Sequence, residues 1–468
     1  MCAAWRNSVL NESRARTIAA VGDADAVISD FARAELVADA RAVLERNRRD
    51  GWTCPSADLY PHQWLWDSCF TAIGLAHVDP SRAADELRSL LRGQWTNGML
   101  PNMIFAPGTR DLGSRTIWRS RTHDDAPRDV DTTCITQPPL LAIATMRVAA
   151  ALDEPARGDF LRELLPRIVA HHEWLYRERD LDGTGLVTLI HPWECGLDST
   201  PPWMDALRRM RLPWWLRIAE HLHLARLLRR IRYDTRQLPA TERATDDDGF
   251  LMVAAAVHAK RYGFELRRMP RDEGALLQDV GFNAMLVAAN SALRFLADDL
   301  GERLPASLDA AIDRTARAVD GLWDDNTGQY CSRDSVTDAL VTARTIAAFL
   351  PLWAGVPVGE RATRLLAQLR DAASYWTAFP VPSVPIDAPD FREVRYWKGP
   401  TWVNTNWMLV DALHAYGEAD LAEQLRERTI AMVAAAGQFE YFSPLDGSGH
   451  GAPDFSWTAA LTLDLALE

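Results

Sequence analysis

The stretch Asp25–Arg49, DAVISDFARAELVADARAVLERNRR, sets its apolar residues three and four apart, the spacing that lines one face of an α-helix. The same spacing recurs at Ser81–Trp95, Gln137–Leu152, Glu154–Arg177, Trp203–Tyr233, Phe250–Arg261 and Glu273–Leu300. It continues through Ser307–Trp323, Ser335–Leu352, Val358–Tyr375, Thr401–Tyr416, Ala419–Ala436 and Phe455–Leu467. With a short segment at Trp64–Ala76 the pattern predicts about 14 helices. Asp79-Pro80-Ser81 and Gly417-Glu418 supply a start and a stop. Strand signals are sparse, the best being Leu186–Ile190. The expectation is an all-α fold of paired helices closed into a toroid. A helical solenoid would repeat at a fixed period, and no repeat is found. No Ser/Gly/Pro-rich linker divides the chain, so residues 1–468 read as one domain with an extension at 1–24.

A net charge of −13 argues against a nucleic-acid partner, which would require a basic patch, and against a membrane surface. No stretch reads as approaching the roughly 20 apolar residues of a membrane span, and no signal peptide is read at the N-terminus. Six scattered cysteines without a C-x-x-C pair fit reduced thiols and a cytoplasmic setting. Neither H-E-x-x-H nor a clustered Cys/His set is present, so no metal is expected, nor any cofactor. Oligomeric state stays open, a homo-oligomer included.

Five long connections, Gly51–Gln63, Thr96–Thr136, Asp180–Pro202, Tyr375–Pro400 and Gly437–Asp454, carry Trp, Tyr and Pro rather than the composition of disorder. Of 18 tryptophans, Trp64, Trp66, Trp193, Trp397, Trp402 and Trp457 fall in short segments rich in Pro, Gly or acids. Those are places to line a cleft, and indole faces pack on the C–H faces of a sugar. In Tyr60-Pro-His-Gln-Trp-Leu-Trp-Asp67, Asp67 either binds sugar hydroxyls or caps a helix. In His191-Pro-Trp-Glu-Cys-Gly-Leu-Asp198, Asp198 either caps a helix or, set near Trp193 and Gly196, is a carboxyl raised by desolvation into a general acid. Glu194 competes for that role. Glu440, inside Phe439-Glu-Tyr-Phe442, is either the partner of an arginine such as Arg395 or a base holding a water. Two carboxyls in unlike environments are what glycoside hydrolysis needs. Phosphate loops, dinucleotide fingerprints and nucleophile elbows are absent.

Taken together, LYPHQWLWDSCFTAIGL (59–75), GQWTNGMLPNMIF (93–105), ITQPP (135–139), HPWECGLDSTP (191–201), RYWKGPTW (395–402) and FEYFSPLDGSGHG with SWTAA (439–460) resemble glycoside hydrolase family 63. The likeness is to its small glucosylglycerate and mannosylglycerate hydrolases. The resemblance implies an (α/α)6 barrel and hydrolysis with inversion, with Asp198 as acid and Glu440 as base. It places Tyr60, Trp64, Trp66, Asp67, Gln137, Trp193, Gly196, Tyr396, Trp397, Trp402 and Trp457 around the sugar, with no metal. Carboxyls about 6.5–9.5 Å apart suit inversion.

Three departures stand out. Cys195 replaces a serine close to the acid and places an oxidation-sensitive thiol there. Arg243 is the candidate for gripping an aglycone carboxylate, but no Tyr follows it closely, and Asp246–Asp248 would repel an anion. Phe455 stands where a Gln is expected. The leading expectation is an inverting α-glucosidase acting on a glucosylglycerate-like compound or a neutral glucosyl disaccharide or polyol. A sugar isomerase or epimerase on the same barrel, and a non-catalytic sugar-binding barrel, are the rivals.

Overall fold

The computed structural model describes residues 28–109, 112–211 and 238–468. The 1–24 extension, Cys2 and most of the expected Trp203–Tyr233 helix lie outside them. The helices are α1 (Asp30–Arg46), α2 (Leu65–Ala76), α3 (Pro80–Leu91), α4 (Leu112–Trp118), α5 (Leu141–Ala151), α6 (Ala156–Arg179), α7 (Pro201–Arg209) and α8 (Asp246–Arg261). There follow α9 (Val280–Asp299), α10 (Ala306–Asp320), α11 (Leu350–Trp353), α12 (Glu360–Leu369), α13 (Val403–Ala415), α14 (Ala419–Ala436) and α15 (Ser456–Leu467).

Six of these close a ring. Helix α2 packs on α5, α5 on α9, α9 on α11, α11 on α13, α13 on α15, and α15 returns to α2. Outside it, α1 lies on α15, α3 on α2, α6 on α5, α10 on α9 and α14 on α13. That alternation of inner and outer helices is the (α/α)6 barrel. The inner helix α2 is enclosed along its whole length: every residue of LWDSCFTAIGLA is buried, as a helix packed on all sides must be. The outer helix α3, PSRAADELRSLL, keeps a polar face and starts as expected, with Asp79 capping the Arg82 N–H at 3.0 Å and Pro80 in its first turn. Gly417 follows α13 with φ +76°, the left-handed stop expected there.

Strands are short and antiparallel. They are β1 (Gln63–Trp64), β2 (Met103–Ile104), β3 (Leu277–Gln278), β4 (Trp323–Asp324), β5 (Gln329–Tyr330), β6 (Ser332–Asp334), β7 (Leu340–Val341), β8 (Tyr441–Phe442) and β9 (Gly449–His450). They pair as β1–β2, β3–β6–β7, β4–β5 and β8–β9. The last pair sets Tyr441 against His450 and Phe442 against Gly449.

Four expectations are corrected. Ser335–Leu352 is not one helix: β6 turns into β7, and only Leu350–Trp353 is α-helical. The Asp334 carboxylate takes the N–H groups of Val336 and Thr337, at 2.8 and 3.0 Å, offering the backbone a turn in place of a helix. Leu186–Ile190 is extended but makes a single bridge, Leu189 to Leu277. The 96–136 connection contains β2 and α4. Val280–Asp299 is long and apolar enough to cross a membrane, but 78% of its apolar window is buried in the protein, as befits an inner barrel helix.

Candidate active site

The first turn of α2 brings Trp64, Trp66 and Asp67 to one end of the barrel, the 192–198 loop brings Asp198, and β8 begins just after Glu440. Neither aspartate is a cap. Asp67 is the third residue of α2, which begins after Trp64, and α7 is preceded by Thr200, two residues beyond Asp198.

The carboxyls share one field. Burial lifts Asp198 from its ordinary value to about 8; nearby Arg243 pulls it down, Glu440 pushes it up, and a hydrogen bond from Tyr396 lowers it. Asp67 stands well above its usual range, chiefly through burial, with the charges of Glu440, Asp198 and Glu86 adding. Behind it, buried Glu86 is pushed up to about 7, mainly by burial, against hydrogen bonds from groups that include the Ser68 hydroxyl and the Gln63 amide.

Glu440 is surrounded by donors. Arg243 Nη1 lies 3.3 Å from both carboxylate oxygens, the Tyr60 hydroxyl donates to Oε1 at 3.1 Å, and the Ala452 N–H donates to Oε2 at 3.0 Å. Its partner is therefore Arg243; Arg395 instead donates to the Arg243 carbonyl at 3.0 Å. The Arg243 guanidinium also bonds Tyr60 and lies 4.3 Å from the centre of the Tyr396 ring, a cation over a π face. The acidic run that follows Arg243 is less repulsive than its sequence suggests. Asp248 is buried and ion-paired with Lys398 at 2.8 Å, which cancels its charge locally.

Glu194, the rival acid, is wholly engaged. It is fully buried, receives Arg179 through both terminal guanidinium nitrogens at 2.7 and 3.1 Å, and accepts the N–H groups of Ile190 and Thr136 at 2.7 and 3.3 Å. This is a brace under the loop, out of reach of a substrate proton. Cys195 is no oxidation-sensitive thiol: it is buried, bonded to the Pro192 carbonyl, and burial holds its pKa well above the usual value.

The tryptophans divide. Trp64 and Trp193 are partly exposed, whereas Trp66, Trp397, Trp402 and Trp457 are buried. Trp397 and Trp402 stack on each other at 3.7 Å, and Trp66 and Trp402 both pack against Trp457. The expectation that such segments expose their indoles fails for these four, which form an aromatic floor. Three indole N–H groups, of Trp64, Trp402 and Trp457, are nevertheless buried with no hydrogen-bond partner among the described residues. Gln137 is buried and accepts the Trp66 N–H at 3.3 Å, so it fixes the start of α2.

Gly196 is dictated by the floor. Its φ is +79°, and a Cβ there would sit 2.5 Å from the Trp66 ring. Gly196→Ala is expected to lower stability by about 1–3 kcal/mol through overpacking and backbone strain, measured by urea unfolding; an unchanged midpoint would contradict this packing.

Sequence reasoning missed Glu242, Lys398 and His450. Glu242 and Lys398 sit beside residues it had singled out, and their roles depend on contacts across the fold. Among the described residues, His77, Asp464 and Glu468 have ligand atoms close enough for a metal. They are engaged already, His77 with Asp464, Asp464 with the Trp407 N–H, and Glu468 with Arg147. A cavity of about 890 Å³ bordered by Trp95, His123, Trp174 and Phe264 contains neither Asp198 nor Glu440, and its arginines 177 and 267 pair with Glu178.

Residues 60–458 match the family described as the mannosylglycerate hydrolase MGH1-like glycoside hydrolase domain. The chain is 36% identical over 442 residues to the mannosylglycerate hydrolase of Rubrobacter radiotolerans, covering 93% of this chain and 97% of that one. It is 30% identical to the glucosylglycerate hydrolase of Mycolicibacterium hassiacum, covering 93% and 98%. The crystal structure of the family 63 mannosylglycerate hydrolase from Thermus thermophilus, in complex with Tris and D-glycerate, superposes with a TM-score of 0.81. It is 36% identical, with 92% of this chain and 99% of that one covered.

Proposed function

The chain belongs to the mannosylglycerate hydrolase MGH1-like glycoside hydrolases, and on that premise we propose that it cleaves the α-glycosidic bond of a small hexosyl glycerate with inversion. The observation that carries the reading is the contrast between two carboxyls in one field: Asp198, raised to about 8, and Glu440, ringed by donors. A carboxyl still protonated at neutral pH can give its proton to the departing glycosidic oxygen. A carboxylate held by Arg243, Tyr60 and a backbone N–H can orient a water on the other face of the sugar and take its proton. The sugar would rest against Trp64 and Trp193, within reach of Asp67, over the floor of Trp66, Trp397, Trp402 and Trp457.

The acidic run after Arg243 is also weakened as a barrier to an anionic aglycone. Asp248 is neutralised by Lys398, and Arg243 is a buried cation beside both carboxyls. This agrees with relatives named for mannosylglycerate and glucosylglycerate. Proton transfer and water attack need only these side chains. Free buried cysteines at 54, 69, 134, 195 and 331 fit a reducing, cytoplasmic setting.

The test is an anomer-resolved NMR time course with mannosylglycerate, glucosylglycerate and neutral glucosyl disaccharides. Mannosyl- or glucosylglycerate is expected to react fastest and to release the β-anomer first. Release of the α-anomer first would refute inversion, and preference for a neutral disaccharide would refute the glycerate assignment.

A further inference from the structure

We propose that Glu242, assisted by His450, is a positioning residue that sets the carboxylate of Glu440; this rests on Glu440 being the base. Glu242 immediately precedes Arg243, and its two ends hold opposite sides of the same group. Its carbonyl accepts the Tyr396 N–H at 3.1 Å and the Tyr441 hydroxyl at 2.5 Å. Tyr396 is the ring under the Arg243 guanidinium, and it has a left-handed φ of +40°, a conformation that persists where surrounding bonds impose it. The arginine side of Glu440 is thus fixed through the Glu242 backbone.

The other side is fixed through the Glu242 side chain. Oε2 accepts the Gly451 N–H at 2.9 Å, and Oε1 lies 3.2 Å from Nδ1 of His450. The next residue, Ala452, donates to Glu440 Oε2 and accepts the Glu440 N–H at 2.9 Å. At Gly451, φ is +71° and a Cβ would come within 2.5 Å of Glu440 Oε2. This turn therefore presses directly on the carboxylate, and Glu242 is what clamps the turn. His450 is steadied in turn, its Nε2 lying 2.9 Å from the Ser448 hydroxyl, which donates to Asp446 at 2.6 Å. Neither Glu242 nor His450 needs to touch substrate. Their effect is on where one carboxylate stands, and a displacement of about 1 Å at a reacting group can cost about 10²-fold in rate.

The experiment compares E242A, E242Q and H450A with the unmutated enzyme on a substrate that the latter hydrolyses, with E440Q as reference. E242A is expected to lose about 10–100-fold in kcat with KM changed less than about threefold. E242Q, whose amide oxygen can still accept the Gly451 N–H, is expected to recover to within about fivefold of the unmutated kcat. A merely structural role would lower kcat in proportion to the folded fraction, which thermal melting measures, and would give no rescue by Gln. Should E242A fail to fold, H450A carries the test, with an expected kcat loss of about 3–10-fold at constant KM. Folded E242A with unchanged kcat, or E242Q as impaired as E242A, overturns the proposal. An E440Q enzyme with full activity would instead refute the base itself, so the two failures are told apart.

Discussion

Asp198→Asn is expected to keep the fold and lower kcat about 10²–10⁴-fold, the range associated with removing a general acid. Asparagine preserves the shape and the hydrogen bond from Tyr396 but carries no transferable proton. Because burial places the Asp198 pKa at about 8, kcat/KM of the unmutated enzyme should fall as pH rises through that value. Below it the acid holds its proton; above it the donor is lost. In Asp198→Asn that descending limb should vanish. Glu440→Gln should lose activity on the same scale while retaining the limb near pH 8. Stability separates chemistry from folding. With its pKa raised in the folded state, Asp198 binds protons more tightly folded than unfolded, so its contribution to stability declines between about pH 4 and pH 8. Replacing it removes that decline, and Asp198→Asn should melt no lower than the unmutated protein at pH 8. A variant that lost activity only through a lower melting temperature would contradict the assignment.

Glu194→Gln should instead unfold the protein readily, at a cost of about 3–5 kcal/mol. Arg179 and Glu194 are 1% and 0% exposed, so the glutamine leaves a guanidinium buried with no counter-charge. Arg179→Met should cost about as much, leaving the carboxylate unpaired. The double variant Arg179→Met, Glu194→Met should recover only part, because the N–H groups of Thr136 and Ile190 that Glu194 accepts would remain orphaned. Chemical unfolding measures all three, and a loss below about 1 kcal/mol for Glu194→Gln would mean that the pair is solvated. The brace also bears on function, since Thr136 neighbours Gln137, which holds the first turn of α2. Activity of the surviving folded fraction should therefore fall as well.

Much of the site was legible in the chain because its parts are local. Tyr60 to Asp67, Trp193 to Asp198 and Phe439 to Phe442 each combine an acid with aromatics and turn residues within a few positions. Their candidacy for one site can be read before their meeting is seen. The rest depended on partners far along the chain: Glu440 meets Arg243 across 197 positions, and the Tyr441 hydroxyl meets the Glu242 carbonyl across 199. No spacing rule announces such pairs, and by sequence alone Arg395 is as reasonable a partner for Glu440 as Arg243. The exposure of the tryptophans was undecidable for the same reason. Pro, Gly and acidic neighbours suggest a loop, but whether an indole in that loop stacks on another, as Trp397 does on Trp402, depends on which loop arrives opposite it.

Local patterning along the chain was enough for most of the helices, whereas their closure into a ring rests on contacts between distant helices. Hydrophobic periodicity acts over one or two turns, and a largely apolar helix, like Leu65–Ala76, must be enclosed by others. It failed at Ser335–Leu352, where the Asp334 side chain captured two backbone N–H groups and replaced a helical turn with a hairpin. That Asp198 is raised to about 8 is decided by the folded arrangement alone. Asp67, Asp198, Glu194 and Glu440 are alike as residues, and a carboxyl's proton affinity is set by burial, by neighbouring charge and by the donors that face it, all of which arrive from elsewhere in the chain.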